Sequence, residues 1–406
     1  MGSLAISPLP QLGDPSYRLG MKSTAQVVSR TRRRLPWLLS SVDAPEQIVG
    51  YVGPNWYASV MGTGIVANAA MTLPWHAAFL RVFALAVWGV DILLLGALTV
   101  AVALHWLLHP SVARSHAYDP TMAQFYGAPP MALLTVGAGA VLVGKTWLGL
   151  PLAVDLDWAL WGTGTILGLI TAVAIPYLMF THHDIGADGA FGGWIMPIVP
   201  PMVSAATGAV LISHVAAGAL RATFVYGLYA MFGMTLVVSL IVITLIWSRL
   251  VHHGDPGTAR SATLWIVLGP LGQSITAASL LGNAAHLALP PQIASGMDVM
   301  AVLYGVPVWG FATMWVALAV LLTVRAVRRG FPFALTWWSF TFPVGTYVTG
   351  TSGLALHTGL PAFAVAAVVA YAGLLCAWAI VAARTVHGGV RGELLLGPAV
   401  LAPVSG

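Results

Sequence analysis

Few side chains in this 406-residue chain could do chemistry, and the histidines come first. His182-His183 and His252-His253 are adjacent pairs, and the stretch THHDIGADG sets Asp184 and Asp188 beside the first of them. Neighbouring imidazoles serve one metal ion poorly, whereas i, i+4 spacing puts two on one helix face. They read as solvated loop residues, and no metal site is expected. His105, His214 and His286 fall near the ends of apolar runs, so a pair of haem ligands facing each other at mid-bilayer is not available. Val136-Gly-Ala-Gly-Ala140 hints at a phosphate-binding loop but lies inside an apolar helix, where it reads as packing. Asp91 differs from all of these, being a carboxylate in the middle of an apolar run. An ionisable group at such a place is costly and is a functional candidate by default. It could carry protons, or stay neutral and hydrogen-bonded against the helix bundle.

The other unusual chemistry is neutral. Residues 339–353 read SFTFPVGTYVTGTSG, too rich in hydroxyls for a helix facing lipid and too apolar for a surface loop, with Pro343 inside. The elements around it explain why such a stretch is needed. Charged residues make up 7% of the chain, against the quarter or so of a soluble domain, and apolar residues come in long blocks. Helices and closed barrels alone satisfy backbone groups in lipid, and the period-two alternation of barrel strands is missing. One cysteine, Cys376, excludes a disulfide framework and a thiolate metal site.

At about twenty residues per span, the blocks give ten spans: 54–73, 78–108, 128–146, 151–180, 194–214, 223–249, 263–287, 297–324, 332–354 and 360–384. Residues 1–49 read as a flexible basic cytoplasmic tail, 50–388 as the transmembrane domain and 389–406 as a short cytoplasmic tail. With the N-terminus inside, fourteen Lys and Arg fall on the cytoplasmic side and three (Arg81, Lys145, Arg221) outside. That asymmetry satisfies the positive-inside rule and puts both termini in the cytoplasm. The basic balance therefore reads as topology, and no nucleic-acid partner is expected.

The spans alternate in kind. Odd ones, such as PNWYASVMGTGIVANAAMT and LWIVLGPLGQSITAASLLGN, are rich in Gly, Pro, Ser, Thr, Asn and Gln. Even ones, such as DILLLGALTVAVALHW and LVVSLIVITLIW, are greasy, with Pro176 and Pro307 as exceptions. Small residues allow close helix packing, and proline-broken helix is tolerated where protein or a cavity re-satisfies its carbonyls. An inner ring of odd helices shielded by even ones follows, with Pro201, Pro270 and Pro343 as helix breaks. A tightly packed bundle without a lumen is the alternative.

NWYASVMGTGIVANA, FYGAPPMALLTVGAG, PIVPPMVSAATGA, LWIVLGPLGQS and WWSFTFPVGT, in this order, resemble the tellurite-resistance/dicarboxylate transporter family. That family includes malate permeases, fungal sulfite efflux pumps and plant slow anion channels. The resemblance implies an all-α membrane protein of ten helices in five hairpins, odd helices around a pore, assembled as a homotrimer in the plasma membrane. It implies a small-anion substrate, either a C4-dicarboxylate such as malate or an oxyanion such as sulfite or tellurite. It implies a phenylalanine gate, which the motif puts on Phe342, or on Phe340 if the register differs. No mid-span Lys or Arg exists, so such a pore must attract anions with hydroxyls, amides and backbone N–H groups. Thr63, Thr135, Ser204, Thr207, Gln273, Ser274, Thr341, Thr346 and Thr349 are candidates to line it, each equally readable as an internal hydrogen-bonder. Arginines 249, 260, 325, 328 and 329 would make the inner vestibule basic. No cofactor is expected. The competing readings are an integral membrane enzyme using redox or metal chemistry, and a non-transporting membrane sensor.

Overall fold

Proline sets the architecture. The computed structural model describes residues 39–42, 45–75 and 77–396, and these are helical throughout, with no strand among the described residues. The helices are α1 (Tyr57–Thr72), α2 (Ala78–Leu108), α3 (Pro110–Tyr118), α4 (Ala128–Gly139), α5 (Lys145–Leu148), α6 (Leu150–Thr181) and α7 (Pro200–Leu211). They continue as α8 (Ala219–His253), α9 (Thr258–Ser261), α10 (Leu268–Ala285), α11 (Pro291–Arg328), α12 (Phe342–Thr358) and α13 (Pro361–Arg391).

Five of them share one construction. Short 3₁₀ segments at Pro54–Trp56, Met122–Gly127, Gly192–Ile195, Ala262–Val267 and Leu335–Phe340 lead into α1, α4, α7, α10 and α12. Prolines stand in these lead-ins or in the first turn of the α-helix, where a missing N–H costs no intrahelical bond. The expected breaks at Pro201, Pro270 and Pro343 are thus corrected: each lies in the opening turn of its helix, and the irregular backbone precedes it.

These five helices close on themselves. α1 packs on α4, α4 on α7, α7 on α10, α10 on α12, and α12 back on α1. The long helices α2, α6, α8, α11 and α13 each lie against the inner helix that precedes them. Burial separates the two sets. In the most apolar stretch of each outer helix, 22–33% of residues are buried, against 89% for Thr258–Ala285. A helix apolar all round yet exposed on most of its surface is built for lipid.

Among the described residues, seven helical stretches are long and apolar enough to cross a membrane, against ten expected. The three that fall short are α1, α7 and α12, whose α-helical parts have 16, 12 and 17 residues. Close approach keeps the inner ring tight. A Cβ on Gly272 would land on the backbone of Thr346 and Tyr347 of α12, and one on Gly62 would meet Thr341 and Trp338.

Residues 39 and 41 bond to the end of the last long helix. Leu39 donates its N–H to the Val390 carbonyl at 2.7 Å, and Ser41 to Arg391 at 3.0 Å. Residues 39–42, expected in a free tail, are therefore tied to the last turn of α13. The arginines of the first 38 residues and the last ten residues lie outside the described residues.

Candidate functional site: a hydroxyl-lined mouth and an apolar throat

Large apolar side chains from all five inner helices are buried together. Met61 and Ile65 of α1, Met131 of α4, Val203 of α7, Leu268 and Leu271 of α10 and Phe342 of α12 belong to one buried cluster. Phe342 is 2% exposed. All five inner helices contribute to this cluster, which reaches into the outer helices through Leu95, Ile243 and Trp315. Phe340, the alternative gate residue, lies elsewhere. Its ring packs edge-on against Trp265 at 5.6 Å and Trp337 at 5.8 Å, in a crevice shared with the outer helices.

A cavity of about 480 Å³ opens between the end of α1 and the C-terminal halves of α10 and α12. Met71, Thr72, Thr276, Ser279, Thr349 and Ser352 are among the residues that line it, and none of its lining is charged. Thr276 and Thr349 bond each other at 2.7 Å.

The expected lining residues divide into three groups. Thr63, Ser204 and Ser274 turn outward, and accept hydrogen bonds from Trp378, Thr165 and Tyr304 of the outer helices. Thr135, Thr341 and Thr346 sit between inner helices: Thr135 meets Gly64, Thr341 meets Gly62, and Thr346 donates to carbonyls of α10. Thr349 alone of the nine lines the cavity. Gln273, buried one turn below Thr276, and half-buried Thr207 of α7 complete the set. Thr276, Ser279 and Ser352 were not anticipated. The i, i+3 series Gln273-Thr276-Ser279 and Thr346-Thr349-Ser352 is the sequence signal that finds them.

Asp91 of α2 is fully buried, its carboxylate lying at Gly64 of α1, with no hydrogen-bond partner among the described residues. Asp157, expected at an interface, is also fully buried; it faces Gly137 of α4, where an added Cβ would come within 2.7 Å. Glycine makes room for the carboxylate in both places. His182 bonds Thr181, and His183 reaches the Ala117 carbonyl at 3.1 Å, so that pair holds a loop. Of the arginines expected to enrich the inner mouth, Arg325 and Arg329 both pair with Asp255 at 2.9 Å, and Arg260 covers the Phe191 ring.

A closed ring of small-residue helices inside a lipid-facing shell, uncharged along its axis, defines a polytopic membrane protein of the transporter and channel class. The chain belongs to the voltage-dependent anion channel family SLAC1, which it matches over residues 51–386. The sulfite efflux pump SSU1 of Trichophyton rubrum is 23% identical over 381 residues, covering 92% of this chain and 98% of the pump. An uncharacterised transporter of Methanocaldococcus jannaschii is 25% identical over 318 residues, covering 77% of this chain and 86% of its own. The SSU1 pump of Candida albicans is 24% identical over 324 residues, covering 74% and 66%.

Proposed function

We propose that this protein passes small anions through the centre of the inner ring, with Phe342 as the gate. The observation that carries this reading is the pairing of an uncharged, hydroxyl-lined mouth with an apolar throat built from all five inner helices. Neutral donors hold an anion loosely enough to let it leave, which suits conduction. An apolar constriction excludes water and ions until it is displaced.

Ten crossings in five hairpins fit the dimensions. At ~1.5 Å per α-helical and ~2.0 Å per 3₁₀ residue, the inner units with their lead-ins span roughly 26 to 39 Å, around the ~30 Å thickness of the hydrocarbon core. The bonds from residues 39 and 41 to the end of α13 require an even number of crossings, and ten supplies one. Both ends then lie in the cytoplasm of a plasma-membrane protein, and homotrimeric assembly accompanies this reading.

An oxyanion such as sulfite is the favoured substrate, because two of the relatives are sulfite efflux pumps. A C4-dicarboxylate fits less well, for want of a fixed cation to meet either carboxylate. Passage is channel-like, since no ionisable side chain lines the cavity. In proteoliposomes, Phe342→Ala should raise anion efflux about tenfold, equivalent to roughly 1.4 kcal/mol off the barrier. Phe342→Leu should stay near wild type. Equal flux through all three folded proteins would remove the gate from Phe342.

A further inference from the structure

A crevice in the outer shell is walled by aromatic rings and leads towards an arginine. It runs between α11 and α13, which both pack on α12. The inner layer contributes Trp265, Phe340, Val344 and Tyr347 to its lining, and its volume is about 370 Å³. On the α13 side the lining extends from Ala370 to Val381. At ~1.5 Å per residue that stretch is roughly 16 Å long, about half of the ~30 Å hydrocarbon core and so the depth of one leaflet.

The walls specify the guest. Their polar side chains are already engaged: the Trp265 Nε1–H donates to Thr323 Oγ1 at 2.9 Å, the Trp337 Nε1–H to the Pro332 carbonyl at 3.0 Å, and the Tyr347 hydroxyl pairs with that of Thr313 at 2.7 Å. What is left for a guest is hydrocarbon. Gly373 on the α13 wall has open space at its Cβ, and Ile380 on the same wall is exposed, so the crevice opens sideways on the lipid face of the shell. One turn beyond Val381, the Arg384 guanidinium lies 5.3 Å over the Trp337 ring. Arg384 forms no ion pair among the described residues, and Glu393, which shares a hollow with it, is paired with Arg391 at 3.8 Å. An apolar slot one leaflet deep, with an unpaired cation at its interfacial end, complements a molecule with a hydrocarbon chain and an anionic head.

We propose that this crevice binds one acyl chain of an anionic phospholipid from the cytoplasmic leaflet, with the headgroup phosphate on Arg384. A guanidinium offers a planar fork of donors to phosphate oxygens, and the Trp337 ring beneath it holds the group in place. A second copy of this chain fits less well, because a subunit contact covers the ridges of helices whereas the crevice is a recess between two of them. Phe340 and Val344, both on its lining, stand two residues before and after Phe342. A chain seated there braces the segment that carries the proposed gate. The site rests on the proposed orientation for its leaflet and on anion conduction only for its purpose, since its occupancy can be measured without flux.

The test is native mass spectrometry of the purified full-length protein in detergent, titrated with phosphatidylglycerol or with phosphatidylcholine carrying the same chains. Wild type should take up its first phosphatidylglycerol at about fivefold lower concentration than its first phosphatidylcholine, the preference that one arginine near the membrane surface supplies. Arg384→Gln should bind both lipids alike, at the level of phosphatidylcholine on wild type. Gly373→Phe fills the crevice from a position with room for a side chain. It should need about tenfold more of either lipid, a loss that about two methylenes left unburied would produce. Unfolding temperatures near wild type check that the variants fold, and the exposed Arg384 tests the headgroup even where the phenylalanine is not tolerated. Equal uptake of the two lipids by wild type, a preference that survives in Arg384→Gln, or wild-type uptake by a folded Gly373→Phe overturns the proposal. So does a Gly373→Phe protein that loses its oligomeric mass yet keeps its lipid, which would make the crevice a contact between copies. If the lipid preference appears while no anion crosses proteoliposomes, the site stands and conduction falls.

Discussion

A hydroxyl can serve an anion only if its hydrogen is free, and in this chain most are taken. Thr63, Ser204 and Ser274 hold the outer helices to the inner ring, accepting bonds at 3.2, 2.9 and 2.8 Å. Asp91 follows a similar logic: its carboxylate fills a notch at Gly64. Asp91→Asn keeps that shape, so flux should be unchanged with or without a proton gradient; loss of gradient dependence on substitution would instead reveal a coupled transporter. His116 gives the one pH-sensitive prediction at this scale. It is buried in the short α3, stacked on His105 at 5.3 Å, and burial pushes its pKa below the ordinary 6.5, helped by His105 and opposed by Asp119. A histidine held neutral by folding contributes stability that is full above pH ~6.5 and is lost as pH falls towards its lowered value. Unfolding temperature in detergent should therefore drop on acidification through this window, and His116→Gln should shallow the drop. An unchanged pH slope in that variant would show that other groups control it.

Among the elements, the inner helices depend on glycine at their contacts. Gly272 lets α10 approach the α12 backbone closely enough that any Cβ collides with main-chain atoms, which move less readily than side-chain ends. Gly272→Ala should cost about 1–3 kcal/mol, the usual range for overpacking, and lower the unfolding temperature. Gly296 of α11, with open space at its Cβ, is the matched control, where alanine should be neutral or better. Equal effects at the two positions would mean that the α10–α12 contact is not what the glycine protects. The lead-ins show why hydropathy undercounted and prolines misled. A 3₁₀ segment lengthens an inner unit without adding α-helix, and the proline after it marks where regular helix begins.

For the whole molecule, the proposed topology rests on the contact between residues 39–42 and the end of α13, which fits an even number of crossings, and on the distribution of basic residues. In a Cys376→Ser background, a membrane-impermeant thiol reagent on intact cells should label Lys145→Cys. Arg391→Cys should react only after permeabilisation. Labelling of both from outside would contradict the even count, and the reverse pattern would invert the orientation.

The sequence by itself determined the class and most of the plan. Long apolar blocks leave no alternative to membrane helices, and the alternation of wet and greasy spans reappears as an inner ring inside an outer shell. Family membership was legible in five short motifs rich in small residues and, in four of them, proline. What only the tertiary structure decided is which way each side chain faces. A helix presents a new face every residue, so the same threonine packs against tryptophan or opens on the axis depending on a rotation set by its neighbours. Thr63 and Thr349 look alike in sequence. One accepts a bond from Trp378 and the other lines the mouth, because α1 and α12 meet different partners there. Ser279 and Ser352 stand 73 positions apart in the chain, and only the closure of the ring brings both onto one cavity.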